Sequence, residues 1–201
     1  MNTKDSYFSI TDSSEGFYKD RGSKFYSYAF PCKDDDELKK IVDIIKKKHH
    51  DARHHCYAYR FKSDYSLYRT NDDGEPTNAA GKPILGQIDA LKLTNTLVIV
   101  ARYFGGVKLG VGGMMNAYKE AAKDALSDVH ITENTIDDTF LVRFGYPEMN
   151  TVMRIIKELD LNIIKQTLEL DGEILFTVRK KESSFVYHKF TGLKNIHISK
   201  M

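Results

Sequence analysis

Disulfide chemistry, membrane insertion and a polybasic tail are all missing from this chain. Only two cysteines occur in 201 residues, Cys32 and Cys56. They cannot form a framework of several bridges, so free thiols in a reducing compartment are the simplest reading. No run approaches the 18 apolar residues of a spanning helix, and Met1–Gly16 is polar with no signal-peptide core. These absences predict a cytoplasmic protein with no membrane partner. Charge of one sign is scarce as well: 30 Lys and Arg against 28 Asp and Glu leave a net charge of +2. The balance is even along the chain, so any nucleic-acid contact needs a local basic footprint.

Standard nucleotide and metal motifs are missing too. Gly105-x4-Gly110 is followed by Val111-Gly112 rather than Lys and Ser or Thr, so it is not a P-loop. Gly110-Val111-Gly112 has Met115 where the third glycine of a dinucleotide fingerprint belongs. His50 and His54 have a zinc-compatible spacing, but no His-Glu-x-x-His occurs and the helix before them ends ahead of Asp51. No EF-hand spacing follows the acidic run at 72–75. Neither a metal nor another cofactor is expected.

What is present is organisation. The apolar fraction, 41%, and the length allow one large domain or two small ones. Phe17–Tyr18 and Phe25–Phe30 flank Asp20-Arg21-Gly22-Ser23 as a strand, turn and strand. Leu38, Ile41, Val42 and Ile45 mark one face of a helix with an acidic start at 34–37 and a basic end at 46–48, matched to the helix dipole. Cys56–Phe61 reads as a strand that Ser66–Arg69 can pair with. A polar turn, Asn71–Thr77, precedes a short helix bearing Ile84, Leu85, Ile88 and Leu91, with Pro83 near its start. Leu97–Ala101 reads as a buried strand, and Met114–Val129 as a helix.

A polar stretch, Asn134–Asp138, divides an N-terminal domain over 1–133 from a C-terminal domain over 137–201. The second reads β-α-β-β-α-β, the order of a ferredoxin-like unit. Its strands are Phe140–Phe144, Ile163–Leu170, Glu173–Val178 and Ile196–Ile198. Its helices open at Pro147 and at Ser183 or Ser184, the latter pair as caps, and Gly192 ends the second one. Asp171-Gly172 is a type I′ hairpin signal. The fold class is α+β.

The chemistry concentrates in three segments. Residues 102–113, Arg-Tyr-Phe-Gly-Gly-Val-Lys-Leu-Gly-Val-Gly-Gly, hold five of the 13 glycines. A strand, a glycine-dense turn and a helix can aim backbone N–H groups at an anion. The same glycines suit a tight turn that needs positive φ and close packing. Asp72, Asp73 and Glu75 suit a cation, acid–base chemistry or a ribose, and equally suit turn and cap duty. His54 and Cys56 share a strand face, which admits a nucleophilic pair or plain packing. Tyr57, Tyr59, Tyr103 and Phe104 interleave with Arg60 and Arg102, a pattern that can stack bases or fill a core.

Four blocks resemble the YigZ/IMPACT family, in family order: Asp51–Arg60, Asp72–Pro76, Ala80–Leu85 and Arg102–Gly110. The Arg-Tyr-Phe-Gly-Gly block is the most specific, and the two-domain layout resembles the bacterial branch. The chain departs from the usual pattern at His55 (commonly Asn), at Asn78-Ala79 (commonly Gly-Thr or a similar small pair) and at Asn116 (frequently Arg). The resemblance implies an N-terminal α/β domain like the second domain of a small-subunit ribosomal protein. It also implies a ferredoxin-like C-terminal domain similar to the last domain of elongation factor G. Eukaryotic relatives regulate translation under starvation by protein competition upstream of an initiation-factor kinase.

The expectation is regulation of translation by binding RNA, the ribosome or a translation-factor protein, with no catalytic residue assigned. The expected ligand-binding residues are Arg102, Gly105, Gly106, Lys108, Gly110, Gly112 and Gly113, with Lys82, Asp72, Asp73, Glu75, His54 and Arg60. Arg102, Lys108 and Lys82 would meet phosphate or an acidic partner. An enzyme acting on a small phosphorylated ligand and a pure protein-interaction module are the alternatives.

Overall fold

The computed structural model describes residues 5–168 and 171–201 and is α+β. The chain runs β1 (Ser6–Ile10), β2 (Ser14–Asp20), β3 (Ser23–Pro31), α1 (Asp35–Lys48), β4 (His54–Phe61), β5 (Leu67–Asn71), α2 (Gly81–Ala90), β6 (Thr96–Tyr103), α3 (Gly110–Ala125) and β7 (Ile131–Thr135). It continues β8 (Asp137–Gly145), α4 (Met149–Glu158), β9 (Asn162–Leu168), β10 (Asp171–Arg179), α5 (Ser183–Thr191) and β11 (Ile196–Lys200). Two compact units result: Tyr7–Asn134, and residues 5–6 with Thr135–Met201.

The larger unit is built on an antiparallel sheet of order β2-β3-β6-β4-β5. Central β6 is buried from Thr96 to Arg102, which explains its near-continuous apolar run. Strand alternation divides its side chains. Val98 and Val100, with Phe25, Ala29, Cys56 and Ala58, meet Ile84, Ile88, Tyr118 and Ala121 of α2 and α3. Leu97 and Ile99, with Tyr28, Tyr59 and Phe61, meet Leu38 and Ile45 of α1. Each large side chain so buried contributes about 1.5–3 kcal/mol. By the same alternation Arg102 and Tyr103, neighbours at the strand's end, point to opposite faces.

The ends of α1 follow its sequence. Asp34 Oδ1 accepts the Asp36 and Glu37 N–H groups at 3.0 and 2.9 Å, and Lys46, Lys47 and Lys48 close the last turn. Helix α3 departs from the expected Met114–Val129. It begins at Gly110, inside the glycine run, and ends at Ala125, beyond which the chain leaves for β7. Strand β7 pairs with β1, a contact between distant segments that local periodicity does not reveal.

In the smaller unit the antiparallel order β11-β8-β10-β9, with α4 and α5, gives the ferredoxin-like arrangement. Phe140, Val142, Phe144, Phe176, Val152 and Phe190 form its core. Asp171-Gly172 is not the hairpin turn: both residues lie in β10, with Gly172 opposite Phe144. A Cβ at Gly172 would sit 2.5 Å from the Phe144 ring, so the glycine makes room for an aromatic neighbour. Leu170, expected at the end of β9, lies outside the described residues. Neither serine caps α5; the Ser183 hydroxyl instead donates to Asp138 at 2.5 Å. Asp5 belongs to this unit, its carbonyl accepting from Ile136 N–H at 2.7 Å and its carboxylate pairing with Arg179 at 3.2 Å.

Candidate functional site

The five glycines of the 105–113 run have separate duties. Gly105 is a packing residue, not a ligand group. A Cβ there would fall 1.9 Å from the Gly22 carbonyl carbon, and its N–H donates to Ser23 Oγ at 3.1 Å. Gly113 is also spent on packing, with Leu109 Cβ 3.1 Å from where its own Cβ would be. Gly106 and Gly110 take φ of +88° and +72° and face open space. Gly112 has neither constraint: its φ is ordinary, and a methyl group added to it would meet nothing within 4 Å. Leu109, at the N-cap of α3, provides no side-chain bond, so the first turn presents N–H groups without a side-chain acceptor.

Arg102 is corrected from an exposed phosphate contact to a buried partner. Its position on the α3 side of β6 drives it inward, where Nη1 donates to Glu75 Oε1 at 2.5 Å. The side chains keep 6% and 4% of their exposure. Tyr118 donates to the same oxygen at 2.8 Å. Burial pushes the Tyr118 hydroxyl pKa up, as it does the Cys56 thiol. Cys56 touches the Asp72 carbonyl at 3.0 Å and the Tyr118 hydroxyl at 3.3 Å, so it is a packed, protonated thiol and no nucleophile.

The acidic loop is largely spent on its own backbone. Asp72 Oδ1 accepts from Ala80 and Gly81 N–H at 3.0 and 2.8 Å, and Oδ2 from Asn78 N–H at 2.9 Å. It therefore anchors the entry to α2 instead of reading a ligand. Asp73 Oδ2 accepts from His55 N–H at 2.6 Å, which ties the loop to β4. The Asp73 carbonyl lies 2.7 Å from His54 Nδ1. A carbonyl only accepts, so that contact puts the proton on Nδ1 and leaves Nε2, 3.9 Å from Glu75 Oε1.

His54, Glu75, Arg102, Lys108 and Gly110 come together around a cavity of about 420 Å³, with Arg53, Phe104 and Met114 also in its wall. Among the described residues, Arg53 and Lys108 carry no carboxylate partner. Lys82 is elsewhere, in a separate cavity of about 510 Å³ with Gln87, Met115 and Asn116. Arg60 is elsewhere as well. It pairs with Asp89 at 2.7 Å, donates to the Tyr65 carbonyl at 2.6 Å and covers the Tyr68 ring, tying β4 and β5 to the end of α2. Tyr59 is buried against Phe61 and unavailable for stacking a base. Among the described residues no three His, Cys, Asp or Glu side chains converge as metal ligands, and no helix is long and apolar enough to cross a membrane.

Sequence reasoning missed Arg53 and Tyr118. Tyr118 sits on the helix face of Met114 and Ala121, and a tyrosine on an apolar face needs a partner for its hydroxyl. That signal was readable.

A profile described as the Impact N-terminal domain matches residues 21–126. The Bacillus subtilis IMPACT family member YvyE is 27% identical over 190 residues, covering 94% of this chain and 88% of that protein. A Thermus thermophilus IMPACT family member is 43% identical over 104 residues, covering 52% of this chain and 55% of that protein. A crystal structure of a hypothetical protein aligns over 98% of both chains with a TM-score of 0.73 and 22% identity, a likeness of fold.

Proposed function

The chain belongs to the Impact N-terminal domain family, and on that premise we propose that it regulates translation in the cytoplasm by binding, with RNA phosphate held where β6 passes into α3. One observation carries the reading. Arg53 and Lys108, cations without carboxylate partners among the described residues, flank the glycine-lined start of α3, which lacks a side-chain cap. Phosphate contacts of this type combine point charge with oriented backbone N–H groups. Arg102 serves differently, as a positioning residue whose charge Glu75 neutralises. Among the described residues, the single carboxylate in the cavity wall is Glu75, already committed to Arg102 and Tyr118. That leaves acid–base catalysis on a phosphorylated ligand without an uncommitted carboxylate.

Binding of labelled single-stranded RNA, and co-sedimentation with ribosomes, tests the reading across a salt series. Affinity falls steeply with salt, and Lys108→Ala lowers the slope by about 1. Absence of binding to either at low ionic strength overturns it. Capture of a translation-factor protein that survives nuclease assigns the surface to that protein instead.

A further inference from the structure

Phe104 stands between two cavities. On one side is the cavity at the start of α3. On the other is a cavity of about 520 Å³ walled by Lys24, Tyr26, Lys48, His49, Tyr103 and Phe104. The second exists because Tyr103 follows Arg102 on β6 and so faces the α1 side, where the end of α1 delivers His49.

Its wall is rigid and aromatic. Tyr26 stacks on His49 with ring centres 5.2 Å apart at 27°, and Tyr103 meets Tyr26 edge-on at 5.7 Å. Both His49 ring nitrogens are occupied, Nε2 by the Tyr28 hydroxyl at 2.6 Å and Nδ1 by the Tyr103 hydroxyl at 3.0 Å. These rings are held in place before any ligand arrives. Phe104 itself is 41% exposed. The Arg53 and Arg102 guanidinium groups lie 5.4 and 5.9 Å from its centre, and Gly105 is locked against Gly22, so an exposed ring is held in position.

Cations line both cavities. Lys24 is exposed and has no carboxylate partner among the described residues, whereas Lys48 is committed to Glu15 at 2.7 Å. Arg53 and Lys108 lie on the other side. A flat, uncharged group flanked by two anions matches this arrangement, which is the chemistry of one nucleotide within a single strand.

We propose that the cavity between Phe104 and His49 receives an unstacked base of single-stranded RNA, with its flanking phosphates at Lys24 and at Arg53 and Lys108. The inference rests on the RNA reading above and adds a base site to it.

The test compares an RNA oligomer with an abasic ribose-phosphate oligomer of equal length, on the full chain at one low salt concentration. The base-bearing strand binds roughly tenfold more tightly. Phe104→Ala erases that preference without weakening the abasic strand, and Phe104→Trp keeps it. Lys108→Ala weakens both strands alike. Equal affinity of the unaltered protein for both strands overturns the base site and leaves the phosphate reading standing. Binding of neither overturns both. Phe104→Ala weakening both strands equally also overturns the base site. Adenosine monophosphate binding as tightly as the RNA assigns the pocket to free nucleotides and overturns the single-strand version.

Discussion

Glu75 Oε1 and Arg102 Nη1 meet at 2.5 Å with both side chains almost wholly removed from water. Breaking such a pair from one side strands a buried charge. Glu75→Gln is expected to cost about 3–5 kcal/mol in urea denaturation. Arg102→Met alone costs similarly, because the Glu75 carboxylate is then left with Tyr118 as its remaining close donor. The double variant Glu75→Met with Arg102→Met loses much less than the sum of the two. Additive losses would show that the residues do not act as a pair.

The glycines differ in what surrounds them. Gly105→Ala puts a methyl into the Gly22–Ser23 backbone and should unfold the protein or lower its melting temperature sharply. Gly112→Ala meets nothing within 4 Å and lies in α3, so it stabilises slightly, by about 0.5–1 kcal/mol. If close backbone approach to phosphate is the reason for Gly112, the same change weakens RNA binding. A Gly112→Ala protein with undiminished affinity removes that residue from the site.

Asp72→Ala removes the acceptor for three backbone N–H groups at the entry to α2. The expected loss is about 1–2 kcal/mol, near the upper end for a capping side chain. Asp72→Asn should recover part of it. Thermal melts of the three proteins decide the point, and an Asp72→Ala protein as stable as the parent would deny the loop its anchor.

Acid sensitivity follows from two buried imidazoles. Burial lowers the pKa of His49 and His55 below the ordinary 6.5. Between that value and the lower folded-state value the unfolded chain binds more protons than the folded one. Their contribution is therefore complete above pH 6.5 and is lost progressively as pH falls below it. Denaturation midpoints at pH 7.5 and 5.5 should differ, and His55→Asn should shrink the difference. An unchanged difference in that variant would exclude His55 as a source.

Much of the architecture was legible because local physics decides it. The apolar spacing of Leu38 to Ile45 and the charged ends around it specify α1 without help from the rest of the chain. The β-branched run of β6 announces a central strand. Pairing of β1 with β7 was not legible, because neither segment carries a local pattern strong enough to name its partner. Asp171-Gly172 misled for a related reason: its glycine answers to Phe144 across the sheet, not to a turn. At the candidate site, composition pointed to segments that the fold brings to one cavity, but not to the facing of each side chain. Arg102 read as a surface cation, but β6 is covered on both faces, so a side chain two residues after Val100 on the α2 and α3 side is buried. Lys24 drew no attention as a binding residue because the cavity it lines is assembled from α1, β3 and β6.

The backbone contact between Gly22 and Gly105 has a consequence for when the site can exist. The turn joining β2 to β3 can close early, from neighbours in sequence. The segment that carries Phe104 is shaped against that turn and has no comparable local support. Its form depends on β6 lying between β3 and β4. A ligand seated against Phe104 would thus meet a surface that only the assembled β3-β6-β4 sheet presents.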